Sequence, residues 1–204
     1  MYSIPDDIQA KIDASEFVLG SDECGLGAYA GTLSVCAAVT PRGWTHPGVT
    51  DSKKLTRAKR EALYPVLRQL THCVIHIHPQ EFDALGAGPA YLEGHRRAIA
   101  GALAAHHAKG GGHPLCIVDG IRKVEGSTPL AKADLLIPAV SAASILAKCE
   151  HDWILDDLDR TYPGYGFSKC AGYGTKAHQE ALEKLGVSPA HRRSYSPMKD
   201  MVRT

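Results

Sequence analysis

Acidic residues close two apolar runs in this chain: Asp22-Glu23 after Phe17 to Leu19, and Asp119 after Leu115 to Val118. A third, Asp134, heads the apolar segment Leu135 to Pro138. Runs of this kind read as buried strands, and carboxylates at buried strand ends are costly unless a cation or a donor meets them. Carboxylates gathered in one small site repel one another and hold protons more tightly unless cations neutralise them. Hard divalent ions such as Mg2+ or Mn2+ prefer oxygen ligands. Two of them about 4 Å apart can activate a water and stabilise the leaving oxygen in phosphodiester cleavage. A bland alternative exists at each position, since adjacent acids arise by chance among 22 acidic residues and strand-to-turn aspartates are common in α/β proteins. The same grammar occurring twice argues that Asp22 and Asp119 sit side by side at neighbouring strand ends.

The elements that must hold these groups follow from the pattern. Gly25, Gly27 and Gly31 supply bends and bare backbone after the first strand. Thr32 to Val39 reads as a second strand, antiparallel to the first. Adjacent residues on a regular strand face opposite ways, so Asp22 and Glu23 reach one ion only if the strand has begun to bend, and Gly25 and Gly27 make that possible. Asp51-Ser-Lys-Lys-Leu55 precedes Thr56, an N-cap for a helix from Arg57 to Leu70 with a stripe of Ala58, Ala62, Leu63 and Val66 or Leu67. Paired lysines before a helix are ordinarily solvated, yet the position also suits a phosphate. Cys73 to Ile77 reads as a third strand. His72, His76 and His78 share one of its faces, which a half-exposed strand explains more simply than a metal. A helix from Ala90 to Ala108 stops at Gly110-Gly-Gly112, with His106-His107 complementing its C-terminus.

Asp134 reads as the start of a short strand before a helix from Val140 to Leu158. That helix opens with Ser141-Ala-Ala-Ser-Ile-Leu-Ala-Lys148, a small-residue face that a backbone or ligand can approach closely. Its acidic half (Asp152, Asp156, Asp157, Asp159) reads as solvated. Tyr162-Pro-Gly-Tyr-Gly-Phe167 is an aromatic, glycine-rich loop, and Gly172-Tyr-Gly-Thr175 leads to a last helix from Lys176 to Leu185 and an irregular basic tail.

Composition narrows the class. With 204 residues and 44% hydrophobic content the chain suits one ordinary globular domain, or a domain with a small appendage, and disorder is not suggested. Net charge is near neutral, but from Arg160 onward Lys169, Lys176, Lys184, Arg192, Arg193, Lys199 and Arg203 face only Glu180, Glu183 and Asp200. Such an end is either a solvated surface or a face for a polyanion. The six cysteines form no C-x-x-C pair, no secretory signal precedes the first strand, and no run of about 20 apolar residues could span a bilayer. A soluble, reducing, cytoplasmic setting is expected. Acidic ligands, exposed glycine backbone, lysines at a helix start and aromatic loops in a basic region are used together by a metal-dependent nuclease. A metabolite phosphatase would leave the basic end unexplained.

Gly20-Ser-Asp-Glu-Cys-Gly-Leu-Gly-Ala-Tyr-Ala-Gly31, Asp51-Ser-Lys-Lys-Leu55, Ile117-Val-Asp-Gly120, Ala142-Ala-Ser-Ile-Leu-Ala-Lys148, Tyr162-Pro-Gly-Tyr-Gly-Phe167, Gly172-Tyr-Gly-Thr175 and His191-Arg-Arg-Ser-Tyr195 together resemble the type 2 ribonuclease H family (ribonuclease HII), in its order and spacing, over residues 18 to about 197. The resemblance implies an α/β fold, a ribonuclease H-like mixed five-stranded sheet flanked by helices with a helical C-terminal part. Residues 1–204 would form a single catalytic domain, about 18–160 the sheet core and 161–204 a basic, substrate-contacting part. It implies endonucleolytic cleavage of RNA in RNA/DNA hybrids or at ribonucleotides embedded in duplex DNA. The products would carry 3′-hydroxyl and 5′-phosphate ends, formed by a monomer using two Mg2+ or Mn2+ ions. Asp22, Glu23, Asp119 and Asp134 match the family's metal-binding, catalytic carboxylates, Asp134 being placed by its distance to Ser144. Tyr173 matches the tyrosine that packs against the sugar at the RNA–DNA junction, where a 2′-hydroxyl is what separates RNA from DNA. Lys53 or Lys54, and Ser144, match backbone-contacting positions.

One departure stands out. The family's glycine-arginine-glycine is here Gly25-Leu26-Gly27, which keeps two backbone amides for the nucleic acid and loses a cationic side chain. A charge-assisted phosphate bond contributes roughly 1.5–3 kcal/mol. Ala133 replaces the glycine before Asp134, and the lysine that often follows is absent. Altered substrate preference, or a non-catalytic hybrid-binding relative of the same fold, is the alternative reading. A ribonuclease HIII-like enzyme or a junction resolvase is the other, although only about 16 residues precede the first strand, short for the former's N-terminal extension. Met201-Val-Arg-Thr204 carries no recognisable partner-binding peptide.

Overall fold

The computed structural model describes residues 2–201; Arg203 and the expectation for the final residues, 202–204, lie outside the described residues. In chain order the first elements are α1 (Asp6–Ala14), β1 (Phe17–Cys24), β2 (Leu33–Pro41), a 3-10 turn (Ser52–Lys54), α2 (Arg57–Leu67), β3 (Thr71–Ile77), α3 (Pro79–Leu85) and α4 (Ala87–Ala108). Then come β4 (Leu115–Asp119), β5 (Thr128–Leu130), α5 (Ala133–Leu136), α6 (Pro138–Thr161), α7 (Phe167–Cys170), α8 (Lys176–Leu185) and α9 (Met198–Met201). Contacts divide the chain into two compact units. The first is Met1–Glu23, Val35–Ile75 and His95–Cys149, and the second is Cys24–Ser34, His76–Gly94 and Glu150–Thr204.

The first unit holds nearly all of a mixed five-stranded sheet of order β3-β2-β1-β4-β5. β1 and β4 are parallel, Val18 facing Leu115 and Ser21 facing Val118, and β4 and β5 are parallel from Ile117 opposite Thr128. β2 runs back along β1: Arg42 N–H, just past its end, donates to the Glu16 carbonyl just before β1, at 2.8 Å. A strand flanked by neighbours and covered on both faces reads as a continuous apolar run, which is why Val18, Leu19, Ile117 and Val118 are all buried. The small-residue stretch of α6 is used as its composition suggests. A Cβ on Gly20 of β1 would overlap the backbone of Ala139 and Val140, so glycine is what lets helix and strand meet there. Ile8, Val18, Ile117, Leu130, Ile137 and Val140 close this core.

Several local expectations are corrected. Residues 134–138 form no strand. The fifth strand is Thr128–Leu130, too short and proline-containing to announce itself, and Asp134 lies in α5. Thr56 caps α2 as expected, accepting from Lys59 N–H at 3.4 Å, but the helix ends at Leu67. Of the expected stripe Leu67 is buried and Leu63 half-buried, while Ala58, Ala62 and Val66 face solvent; the other inward position of the helix is an arginine, Arg60. His106 does not complement a helix end in water: it is buried, edge-on to Phe17 at 4.6 Å.

The second unit is built around Leu155, Tyr165, Phe167, Leu182, Ala190 and Met198. Tyr165 and Phe167 stack at 5.1 Å inside it, so the aromatic loop is core and not a surface for bases. The α6 acids are not uniformly solvated either. Asp152 is buried, and Asp159 accepts from Phe167 N–H at 2.7 Å and Ser168 N–H at 2.9 Å, tying the loop to the helix. The basic tail is irregular up to the short α9, as expected, but its arginines are not all free to meet a ligand. Arg192 is fully buried over the Phe82 ring at 4.0 Å and donates to the Leu26 carbonyl at 2.7 Å and the Gly31 carbonyl at 3.2 Å, so it cannot face a polyanion.

Candidate active site

The parallel register that sets Ser21 beside Val118 brings the next pair, Asp22 and Asp119, to adjacent strand ends, as the repeated pattern predicts. Asp134 joins them from α5. Its N–H lies 3.5 Å from Asp119 Oδ1, its carbonyl accepts from Ser141 Oγ at 2.8 Å, and its side chain is buried. Asp22 Oδ1 accepts from Glu23 N–H at 2.8 Å, and Ser144 adds a side-chain hydrogen bond. Burial first, then the Glu23 and Asp119 charges, push the Asp22 carboxyl well above the usual carboxylate range. Burial and then Asp134 raise Asp119 as well.

Both members of the acidic pair lie inside β1, and the sharp backbone turn comes only afterwards, at Gly25 with φ +86°. The turn thus falls at Gly25, one of the two glycines expected to supply it, and the Glu23 charge still acts on both Asp22 and Asp119. Glu23 turns to His95 of α4, whose Nε2 is 3.3 Å from its Oε2. The other edge of that ring, Nδ1, meets Ser21 Oγ at 2.8 Å, and the same hydroxyl lies 2.9 Å from the Cys36 carbonyl. His95 is fully buried, and 72 residues separate it from Glu23 in sequence; on α4 it stands among Glu93, Arg96 and Arg97, with His106 and His107 further along, so no local signal singles it out.

Lys53 arrives from the 3-10 turn. Asp51 Oδ1 caps that turn through Lys53 N–H at 2.8 Å, and Ser52 Oγ contacts Ser144 Oγ at 2.8 Å. Arg60 Nη1 donates to the Ser52 and Leu55 carbonyls at 3.2 and 2.7 Å. Thus the buried arginine of α2 also fixes the lysine turn. Lys53 Nζ lies 3.4 Å from Asp134 Oδ2; although partial burial works against its charge, Asp22, Asp134 and Asp51 hold its pKa above the ordinary value. Lys54 is exposed.

Four carboxylates thus act on one another, with a lysine at the edge. The other oxygen of Asp134, Oδ1, is buried without a hydrogen-bond partner. Among the described residues no three His, Cys, Asp or Glu side chains converge into a closed ligand set. The donor chemistry fits a hard divalent cation: oxygen-only, mutually repelling, and with one buried lone pair unsatisfied. Asp22, Glu23, Asp119 and Asp134 are the residues that could hold it.

Gly25, Leu26, Gly27 and Tyr173 belong to the second unit. Gly25 is backed by His151, whose Cε1 would lie 2.6 Å from a Cβ there, and Gly27 is exposed. The Leu26 carbonyl is held twice, by Arg192 and by Tyr195 OH at 2.7 Å. Tyr173 is 41% exposed and lies 3.8 Å from where a Gly27 Cβ would stand. The Tyr29 and Ala30 amides anchor the preceding Gly172 carbonyl at 2.8 and 3.2 Å. Sequence reasoning missed Arg192 and Tyr195 as supports of this turn.

Comparison with known proteins agrees in sequence and in fold. The family model described as Ribonuclease HII matches residues 19–87 and 119–198. Ribonuclease HII of Hyphomonas neptunium is 37% identical over 206 residues, covering 94% of this chain and 99% of the relative. That of Corynebacterium jeikeium is 40% identical over 187 residues, covering 87% and 86%. The crystal structure of ribonuclease H2 from Pyrococcus horikoshii OT3 superposes with a TM-score of 0.72 at 24% identity, over 92% of this chain and 97% of that one, a likeness of fold.

Proposed function

The chain belongs to the ribonuclease HII family, and on that premise we propose that it cleaves RNA within RNA/DNA hybrids or at a ribonucleotide embedded in duplex DNA. The ends would be a 3′-hydroxyl and a 5′-phosphate. The observation that carries this reading is the group formed by buried Asp22 and Asp134 with half-buried Asp119, brought together by strand register and α5, self-repelling and with one unsatisfied oxygen. Bound divalent ions, Mg2+ or Mn2+, would supply an activated water and neutralise charge on the leaving oxygen.

The chain's own residues do the rest. Asp22, Glu23, Asp119 and Asp134 hold the ions, and His95 and Ser144 fix the direction of Glu23 and Asp22. Lys53, poised beside Asp134 and held positively charged, or else Lys54, contacts the nucleic-acid backbone, and Ser144 matches a further backbone-contacting position of the family. Gly25 and Gly27 offer backbone amides, and the Tyr173 ring packs against the sugar that carries the 2′-hydroxyl. The whole of 1–204 serves as one catalytic domain, monomeric and cytoplasmic; among the described residues no helix is long and apolar enough to cross a membrane.

Leu26 favours an altered preference between the two substrates. Its carbonyl is doubly anchored, so the turn is kept, but its side chain offers no charge to a phosphate. The test is a cleavage panel on a hybrid duplex and a single-ribonucleotide duplex with Mg2+ or Mn2+, for wild type, Asp22→Asn and Leu26→Arg. Wild type is expected to cut and Asp22→Asn to be inert, while Leu26→Arg shifts the ratio of the two rates. An equally inert wild type and Asp22→Asn would point to a non-catalytic binder. An unchanged rate ratio in Leu26→Arg removes the role given to Leu26.

A further inference from the structure

Two histidines in the second unit form a chain of hydrogen bonds that ends on Tyr173. His191 Nδ1 receives the Ser188 backbone N–H at 3.1 Å, and an N–H can only donate, so this nitrogen is bare. Neutral His191 then carries its proton on Nε2. At the other end, His178 Nδ1 lies 2.9 Å from the Tyr173 carbonyl, which can only accept, so this nitrogen is protonated and His178 Nε2 is bare. The two Nε2 atoms are 3.1 Å apart. Reasoning from either end gives the same answer: one proton fills the gap, donated by His191 and accepted by His178.

We infer that the His191–His178 pair is a positioning device for substrate recognition, a one-proton relay from Ser188 to the Tyr173 backbone that sets the height and tilt of the Tyr173 ring. This rests on the reading of Tyr173 as the residue that packs against the ribose. The surroundings keep both rings neutral. His178 and His191 are fully or nearly fully buried, packed against the Tyr165 and Phe167 rings, with Tyr29 also against His178. Cys170 Sγ is 3.6 Å from His178 Nδ1, Asp159 acts on His178 from α6, and Ser188 Oγ is 2.8 Å from His191 Nδ1. Burial lowers the pKa of both histidines, and His178 further opposes protonation of His191. A second proton would set two N–H groups against each other at 3.1 Å or point one at the Ser188 N–H. Either breaks the relay.

The test joins a spectroscopic and a kinetic measurement on the full chain. Nitrogen NMR of wild type at pH 7 is expected to show His191 as the Nε2–H tautomer and His178 as the Nδ1–H tautomer; the opposite tautomers, or an imidazolium at either, would overturn the relay. In cleavage of a single-ribonucleotide duplex, His191→Gln and His178→Gln are expected to raise KM about fivefold, the scale of one net hydrogen bond, with kcat nearly unchanged. In a Tyr173→Ala background, His191→Gln should add nothing. If it adds its full effect there, the histidines act on folding and not through Tyr173. If Tyr173→Ala itself leaves ribonucleotide discrimination intact, it is the reading of Tyr173 that fails, while the tautomer result stands separately.

Discussion

The carboxylate cluster of the first unit and the histidine pair of the second are both buried and polar, yet they are satisfied in opposite ways. In the histidine pair each lone pair facing a neighbour finds a proton and each N–H finds an acceptor. In the cluster burial first, and then like charges, raise the pKa of Asp22 and Asp119, and Asp134 Oδ1 has no hydrogen-bond partner. Burial of polar groups costs little when hydrogen bonds are complete and much when charges are left over. The first arrangement holds a shape. The second is poised for a cation.

Mutation should separate the two regions most sharply. Arg192→Ala removes a buried guanidinium that donates to the Leu26 and Gly31 carbonyls and lies over Phe82, and should destabilise by about 3–5 kcal/mol in denaturant unfolding. Lysine at 192 should rescue little, because it lacks the planar fork. Asp119→Asn, by contrast, should raise the melting temperature in buffer without divalent ions, since it removes repulsion, while abolishing cleavage. Destabilisation by both would erase the contrast.

The pH dependence carries the same opposition on a smaller scale. Burial and the neighbouring His178 press His191 down to about 4. Between about 6.5 and about 4 the unfolded chain therefore binds a proton that the native chain refuses, and stability falls as pH falls, by on the order of 3 kcal/mol for His191. Asp22 and Asp119 have raised values, so the stability they add is present at low pH and is lost as pH rises through those values. Asp22→Asn should remove part of this offset and steepen the loss of stability on acidification in metal-free buffer. A shallower loss would contradict the assignment.

The smallest expected effect is a control in which the units should behave alike. Thr56 and Thr175 cap α2 and α8 with the same 3.4 Å bond, so alanine at either should cost about 1 kcal/mol in equilibrium unfolding. A markedly larger cost at Thr175 would show that the α8 N-terminus, three residues before His178, is coupled to the histidine pair.

Much of the cluster was legible because it is written locally. An apolar run ending in aspartate occurs at both Asp22 and Asp119, and parallel pairing of β1 with β4 turns the repetition into adjacency. Asp134 was found with its element misread, because helix α5 follows a strand of only three residues. His95 was not legible: its role exists only through Ser21 and Glu23, more than 70 residues away. The packing of the aromatic loop and of Arg192 was not legible for a related reason. Whether a tyrosine stacks on a base or on Phe167, and whether an arginine meets a phosphate or two carbonyls, is decided by tertiary packing that no local pattern records.

The central claim is that the surplus negative charge of the first unit binds divalent ions and that this binding drives cleavage at a ribonucleotide. A Mn2+ titration of wild type and Asp134→Asn tests it most directly, following ion binding by calorimetry and cleavage of a single-ribonucleotide duplex in parallel. Wild-type cleavage should rise with ion occupancy, and Asp134→Asn should lose both together. Wild-type cleavage persisting in excess chelator, or an Asp134→Asn protein that binds and cuts as wild type does, would contradict the account.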